Sequence, residues 1–158
     1  MSVRDPEGPF LELTRDVAMR FNGRFGDTFT VPTGFIPAVE KGVEESWCEL
    51  LDTDGDVLPG LRVEERAGHS AGHQIVWIGE GNDLVLYTGD LAPAKIWLDP
   101  DLISGVDTDP EAARHNRIEV LSTAESRDAP VILYHEPGDC VVKVRKTEKG
   151  FEAIPVED

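Results

Sequence analysis

Hydrophobic and polar positions alternate most regularly in the middle of the chain. The segment LRVEER (residues 61–66) places apolar and polar side chains on opposite sides, as a half-buried strand does. Two apolar runs follow, QIVWIGE (74–80) and DLVLYTG (83–89), and the turn-forming sequence GEGND joins them. These runs predict a hairpin whose second strand is buried on both faces.

The pattern changes from strand to helix between residues 108 and 126. Asp109 is suited to cap the N-terminus of this helix, and Pro110 is suited to its first position. Four apolar residues recur at helical spacing and define one face. They are Ala113, Val120, Leu121 and Ala124. We therefore predict one long amphipathic helix here.

The remaining apolar runs are strands. APVILYHEP (129–137) is an apolar strand, and CVVKVRK (140–146) and GFEAIPV (150–156) form a terminal hairpin across TEKG. Strands dominate, and one helix interrupts them. The order predicts an α/β (α+β layered) domain in which the helix packs on a sheet.

Residues 1–45 are predicted to be rich in loops. Residues 22–36 hold three glycines and a proline among aromatic residues, which is typical of a surface loop, and residues 37–45 suit a helical turn or two. At 158 residues, the chain has the length of one domain with a core of its own. We predict a single domain over 1–158, with its N-terminal region 1–45 loop-rich.

The charge of the chain narrows the choice of partners. Its formal net charge is −16, from 31 Asp and Glu against 15 Lys and Arg. A surface this acidic repels phosphate backbones and anionic lipids, so we expect no nucleic-acid partner and no membrane partner. The excess of carboxylates favours solubility, and attraction of cations toward a site is the alternative explanation.

The two cysteines do not suggest a disulfide framework. Cys48 and Cys140 lie far apart and form no Cys-x-x-Cys motif, so two reduced thiols are expected. The opening MSVRDPEGPF has no apolar segment typical of a signal peptide, and no apolar run is long enough to span a bilayer. These features predict a cytoplasmic protein.

Three residues that could bind a metal ion follow or precede predicted strands. His69 lies in a glycine-flanked turn, Asp90 ends the strand in LYTGDLAP, and His135 ends the strand in VILYHEP. Two imidazoles and a carboxylate form a good ligand set for Zn²⁺ and similar divalent ions. Each residue alone is as well explained by a structural role, because polar residues at strand ends often form turns. The prediction therefore depends on all three occurring together.

The same segments resemble one family of enzymes. AGHSAGHQIVWI is similar to the PGHTPGH turn of the metallo-β-lactamase-fold hydrolases, a superfamily of metal-dependent enzymes. VLYTGDLAP and ILYHEP resemble that superfamily's aspartate-bearing strand and its last metal-binding histidine. The motifs match in order and spacing. The resemblance implies half of an αββα sandwich, the second half, with a mostly antiparallel or mixed sheet.

The resemblance also implies roles for individual residues. His69 would bind the first of two metal ions, Asp90 would bridge both ions, and His135 would bind the second. His73 matches a position that is usually not a ligand, and it would pack or hydrogen-bond behind the ligands. Trp97 would line the substrate pocket. His115, in the middle of the predicted helix, would be a surface residue.

The first-half signature of the superfamily, His-x-His-x-Asp-His, is absent. No histidine occurs before His69, so four of the seven ligand positions expected from the resemblance do not exist in this sequence. Half of the sandwich would also expose the inner face of its sheet. We therefore expect a homo-oligomer, with a dimer preferred, or a partner chain that carries the first half.

These observations lead to competing hypotheses for function. The first is a metal-dependent hydrolase that uses Zn, with Mn or Fe as alternatives, and a metal-bound hydroxide to cleave a small ester, lactone, thioester or amide. In it, His69 and Asp90 are the catalytic metal ligands. The second is a non-catalytic remnant or binding subunit that keeps the fold. The third is a shortened chain or a misassigned start, with the missing motif upstream.

Overall fold

The computed structural model describes residues 2–3, 11–12, 35–47 and 54–156. The chain divides into two compact units, Met1–Thr53 and Asp54–Asp158, and each is described by itself. The single domain predicted for 1–158 stays a prediction. Most of the region 1–45 predicted to be loop-rich, including the loop at 22–34, lies outside the described residues, as does Cys48. Cys140 is a free thiol.

In the first unit, a two-stranded antiparallel ladder joins β1 (Ser2–Val3) to β2 (Leu11–Glu12). One helix, α1, runs over Phe35–Glu44. It covers the segment for which the sequence predicted a helical turn or two.

The second unit is built on a seven-stranded sheet, with its strands in chain order from edge to edge. The strands are β3 (Gly55–Leu58), β4 (Leu61–Glu65), β5 (Gln74–Ile78), β6 (Val85–Tyr87), β7 (Val131–Ile132), β8 (Val141–Thr147) and β9 (Gly150–Pro155). Five of the six neighbouring pairs are antiparallel, and β6 with β7 is parallel. The predicted mixed, mostly antiparallel sheet is confirmed.

The parallel pair needs a crossover, because a parallel strand must start again from the other end of the sheet. Residues 88–130 make this connection, and they contain the long helix α2 (Pro110–Ser126). Asp109 caps the helix as predicted, since its side chain accepts a hydrogen bond from the backbone N–H of Ala112 at 3.0 Å. Within the described residues, neither helix is long and apolar enough to cross a membrane.

The core lies between α2 and one face of the sheet. Trp77, Leu86, Val131 and Val142 stand opposite one another on β5 to β8 and are buried. The four apolar helix residues predicted to face the core, Ala113, Val120, Leu121 and Ala124, are all buried. The layered fold is therefore the one predicted from the alternation of positions.

The buried face of α2 also carries an arginine, which the apolar pattern did not predict. Arg117 is only 1% exposed. Its Nε donates to the carbonyl of Leu91 at 2.7 Å, and its Nη1 donates to that of Leu102 at 2.7 Å. Burial lowers the pKa of Arg117, while Asp107 and Asp99 act in the opposite direction. These hydrogen bonds tie the crossover loop to the helix.

The opposite face of the sheet is apolar but much less buried. Val76, Tyr87, Ile132 and Val141 form one row across β5 to β8, and Ile78 pairs with Val85 beside it. Val141 is 43% exposed and Ile78 is 40% exposed. The prediction that the second hairpin strand is buried on both faces was therefore wrong: in β6 only Leu86 is fully buried, because its neighbours point to the other face.

Candidate metal centre

The sheet topology brings the three predicted ligands to one edge. Because β6 and β7 are parallel, the residues that follow them, Asp90 and His135, emerge at the same end of the sheet. Strand β5 is antiparallel to β6, so the turn that precedes it, with His69, lies at this end too. His69 and His135 are 66 residues apart in the sequence, and the fold brings them to the same edge of the sheet.

His69 is held in one orientation by a buried carboxylate. Its Nδ1 lies 3.0 Å from Oδ1 of Asp107, whose side chain is 2% exposed. A carboxylate oxygen accepts, so Nδ1–H of His69 is the donor in this contact, and Nε2 is the ring nitrogen that faces Asp90. A histidine that binds a metal is oriented in this way by a partner on its second nitrogen.

Asp107 was missed by the sequence analysis. It is anchored in the loop before α2, where its Oδ2 accepts from the backbone N–H of Ser104 at 3.2 Å. A hydrogen bond also joins this loop to the turn of His69, because the N–H of Asp109 donates to the carbonyl of Gly68 at 2.9 Å. The only signal in the sequence was an additional aspartate two residues before the helix cap, which is also common in ordinary turns.

Gly68 makes this close approach possible. Its φ is +143°, and a Cβ built on it would lie 2.4 Å from Cα of Ala113 in α2. No side chain fits at that distance, so the turn that carries His69 rests directly on the first part of the helix.

Asp90 lies between the two histidines. It belongs to a short 3₁₀ turn, Gly89–Leu91, that follows β6. Its Oδ2 is 3.6 Å from Nε2 of His69, and its Oδ1 is 3.8 Å from Nε2 of His135. Each carboxylate oxygen therefore faces a different imidazole.

His135 is the most exposed of the three residues, with 62% of its side chain accessible. Its backbone is fixed, since its N–H donates to the carbonyl of Pro93 at 2.9 Å. The residue before it, Tyr134, was not singled out from the sequence. The Tyr134 hydroxyl donates to Oδ1 of Asp90 at 2.5 Å, and its ring centroid is 3.9 Å from that of His135.

The donor atoms suit a divalent cation, but they are few. Two ligands of one tetrahedral zinc ion, each about 2.0–2.1 Å from it, lie about 3.4 Å apart, close to the spacing of His69 and Asp90. The His135–Asp90 pair is similar. No group of three or more His, Cys, Asp or Glu within the described part of the chain is arranged to hold one metal ion. The three residues therefore form two candidate half-sites that share Asp90, each with two candidate ligands.

His73 is not part of either half-site. It is buried, its ring meets that of His69 edge to face at 6.0 Å, and among the described residues neither of its nitrogens has a hydrogen-bond partner. Burial, and then the nearby His69, lower the pKa of His73 to about 4. His73 is therefore neutral near pH 7 and packs behind the ligands.

Trp97 and His115 are the other two residues named from the sequence. Trp97, in the 3₁₀ helix Lys95–Leu98, is partly buried and packs against the hydrophobic core. Its role in lining a pocket stays a prediction. His115 is exposed on α2, as expected, with its Nε2 3.9 Å from Glu119.

The structure is similar to solved structures of hydrolases. A probable metal-dependent hydrolase from Staphylococcus aureus aligns with 70% of this chain and 40% of its own, at 21% identity and a TM-score of 0.60. AidC, a dizinc quorum-quenching lactonase, aligns with 80% of this chain and 46% of its own, at 22% identity and a TM-score of 0.63. AbOPH, a hydrolase of the beta lactamase superfamily, aligns with 77% of this chain and 42% of its own, at 18% identity and a TM-score of 0.64.

Comparison by sequence gives short matches to a different kind of protein. A tryptophan–tRNA ligase of Streptomyces avermitilis is 59% identical over 34 residues, which are 22% of this chain and 10% of the ligase. That of Leifsonia xyli is 35% identical over 82 residues, 52% and 21% of the two chains. This chain thus spans only 10% to 21% of the curated relatives it matches. No protein-family model matches it.

These solved structures show the fold of the chain. The chain has the metallo-β-lactamase fold, and it holds half of the αββα sandwich, as the resemblance implied. It spans under half of each of these structures.

The packing of His73 on the Asp90 turn predicts a difference between two glycines. Gly89 and Gly81 have similar φ, +54° and +59°, but a Cβ on Gly89 would lie 2.8 Å from Nε2 of His73, and one on Gly81 would meet nothing within 4 Å. We expect Gly81→Ala to cost roughly 1–2 kcal/mol in strain and Gly89→Ala roughly 1–3 kcal/mol more. Urea unfolding of both variants measures this difference, and equal losses would contradict the packing.

The burial of His73 predicts a pH dependence of stability. Its pKa is about 4 in the folded protein against 6.5 when exposed, so only the unfolded chain takes up a proton as the pH falls between these values. Stability is therefore full above pH 6.5 and lost toward pH 4. From pH 7.5 to 5.0, the unchanged protein should lose about 2 kcal/mol more than His73→Leu. Urea unfolding at both pH values gives the free energy of unfolding of each protein. An equal loss of stability in the two proteins between pH 7.5 and 5.0 would refute this prediction.

Proposed function

We propose that this chain is part of a metal-dependent hydrolase. The observation that carries the proposal is the orientation of His69, whose Nδ1 lies 3.0 Å from the buried Asp107 while its Nε2 faces Oδ2 of Asp90 at 3.6 Å. Two electron-pair donors that face each other at this distance define a place for a cation.

His69 and Asp90 would hold one divalent ion, and Asp90 and His135 a second, with Zn²⁺ preferred and Mn²⁺ or Fe²⁺ as alternatives. When bound, such ions supply a hydroxide at neutral pH and polarise the oxygen of the substrate. The part of this chain is to fix the donors: Asp107 sets the tautomer of His69, and the Gly89–Leu91 turn aims both oxygens of Asp90.

As the substrate we propose a small ester, lactone, thioester or amide. The description of AidC as a lactonase supports the lactone within this group. Trp97 is proposed to line the pocket, because its 3₁₀ helix follows Asp90 closely in the chain. We keep the predictions that the protein is cytoplasmic and binds neither nucleic acid nor membranes.

A second candidate function is supported by the number of ligands. Because no three candidate ligands converge within the described residues, the chain is also suited to be a non-catalytic binding subunit that keeps the fold. Metal content distinguishes the two functions, since the second requires no bound ion.

The partner that we propose is a second copy of this chain. The open face of the sheet is a continuous apolar row of partly exposed side chains, including Val76, Tyr87, Ile132 and Val141. In a two-fold dimer the same face of each copy would cover the other. Such a dimer would also place two incomplete sites in one assembly. A different chain that carries the first half of the sandwich is the alternative.

The metal proposal predicts the effect of one histidine. After dialysis against Zn²⁺, the unchanged protein should keep zinc in elemental analysis, and His69→Ala should lower the amount at least roughly tenfold, as loss of one of two protein ligands implies. His115→Ala, which removes an exposed histidine on α2, is the matched control and should bind zinc normally. An unchanged protein without affinity for Zn²⁺, Mn²⁺ or Fe²⁺ would refute the proposal.

The partner proposal predicts the state in solution. Size-exclusion chromatography with light scattering should give the mass of a dimer, and Val141→Glu should convert it to a monomer by placing a charge on the open face. Ile96→Glu is the control, because Ile96 is equally apolar and 62% exposed but lies outside the sheet. A well-folded monomer of the unchanged chain would contradict the dimer.

A further inference from the structure

A pocket lies at the end of the seven-stranded sheet that is opposite to His69 and Asp90. It is lined by the turn between β3 and β4, by the connection between β5 and β6, and by the residue that ends α2. The turn of His69 precedes β5, whereas Gly79, which lines the pocket, follows β5. The pocket has a volume of about 300 Å³, which is the lower end of the range for ligand sites. It is therefore separate from the candidate metal centre.

A row of side chains across three strands forms one side of the pocket. Asp56 lies opposite Arg62, and Arg62 lies opposite Trp77, on β3, β4 and β5. Nη1 of Arg62 is 3.7 Å from Oδ1 of Asp56, and its Nε is 3.0 Å from Oε1 of Glu64. The charges of Arg62 and Asp56 are therefore already balanced within the protein.

Arg127 supplies a positive charge that is not balanced in this way. It is the C-cap residue of α2, and its guanidinium carbon lies 5.2 Å from the centroid of the Trp77 ring, within the range of a cation–π contact. Trp77 is only 4% exposed, so its ring anchors the guanidinium. Among the described residues, no carboxylate forms an ion pair with Arg127, whose N–H groups suit two-point binding of a carboxylate.

Glu80 supplies the opposite charge. It is exposed, it lines the same pocket, and its side chain does not cap the 3₁₀ turn Gly81–Asp83 that it precedes. Within the described part of the chain, no ion pair joins Glu80 to Arg127 or to another cation. The pocket thus combines one available negative charge with one available positive charge.

The uncharged side chains of the lining are all apolar. They are Leu58, Pro59, Leu61, Trp77 and Leu84. Leu58 is 40% exposed, so a ligand can still remove apolar surface from water here, which contributes about 25 cal/mol per Å². The pocket therefore suits a ligand that has an apolar group beside its charges.

The charges decide which class of ligand fits. A simple anion would be repelled by Glu80 and by the net charge of −16, and a simple cation would be repelled by Arg127. A zwitterion can pair with both residues, and because it has no net charge, the acidic surface does not oppose its approach.

We propose that this pocket binds a free α-amino acid with an apolar side chain. Its carboxylate pairs with Arg127, its ammonium group pairs with Glu80, and its side chain packs on the leucines of the lining. The inference goes beyond the proposed hydrolase and is independent of it, since it uses none of the candidate metal ligands.

Titration with L-leucine, followed by NMR of the backbone amides, tests the proposal. The amides of Gly60, Gly79 and Gly81, which line the pocket, should shift and saturate with a Kd of roughly 1 mM, whereas those of Gly68 and Gly89 should not move. Glycine, which lacks the apolar side chain, should bind roughly tenfold or more weakly. No saturable shift, or shifts at Gly68 and Gly89 instead, would overturn the proposal.

Two analogues of leucine assign the charges. At pH 6.5, where the amine is protonated, L-leucinamide lacks the carboxylate and 4-methylpentanoate lacks the ammonium group. Each should bind the unchanged protein roughly fivefold more weakly than L-leucine, as expected for one exposed ion pair. Arg127→Gln should remove only the advantage of leucine over leucinamide, and Glu80→Gln only its advantage over 4-methylpentanoate.

Arg114→Gln is the matched control, because it removes a positive charge from the other part of α2, where Arg114 pairs with Asp101. It should bind L-leucine like the unchanged protein. Circular dichroism checks that each variant is folded. If 4-methylpentanoate binds as tightly as L-leucine, or if Arg127→Gln weakens binding no more than Arg114→Gln, the proposed zwitterion site is refuted. Neither result affects the proposed metal site, which zinc content tests separately.

Discussion

The parallel pairing of β6 with β7 is the constraint on which the candidate centre depends. In an otherwise antiparallel sheet, it makes two successive strands end at the same edge, so that Asp90 and His135 meet although 45 residues separate them. The crossover required by this pairing contains α2 and the loop before it. That loop brings Asp107 to His69. One change of strand direction thus places the candidate ligands and also the residue that orients His69.

The sequence predicted the fold well, because the fold depends on local periodicity. Alternation in the strands and the 3.6-residue spacing in α2 are visible without tertiary contacts, and Asp109 and Pro110 begin the helix as the cap rules require. The prediction of a strand over the segment VILYHEP was less accurate. Only Val131–Ile132 pairs in the sheet, since the chain turns immediately afterwards to present Tyr134 and His135. A continuous apolar run does not show where its ladder of hydrogen bonds ends.

The parts of the site that the sequence did not predict are defined by three-dimensional contacts alone. Asp107 is one of 31 acidic residues, and nothing local distinguishes it from its neighbours. Arg117 interrupts the apolar face of α2, and its burial makes sense only with the carbonyls of the crossover loop around it. Tyr134 continues an apolar run, and only the folded edge shows its hydroxyl against Asp90. Sequence motifs identify which residue types are present, whereas the contacts between distant residues depend on how the chain folds back on itself.

The contact of Gly68 with Ala113 has a consequence for motion. With no room for even one carbon atom between them, the turn of His69 and the first turn of α2 cannot move past each other. Hydrogen bonds from Thr108 and Asp109 to the same turn reinforce this coupling. We therefore expect the two segments to open as one cooperative unit, so that His69 keeps its orientation only while the start of the helix stays folded.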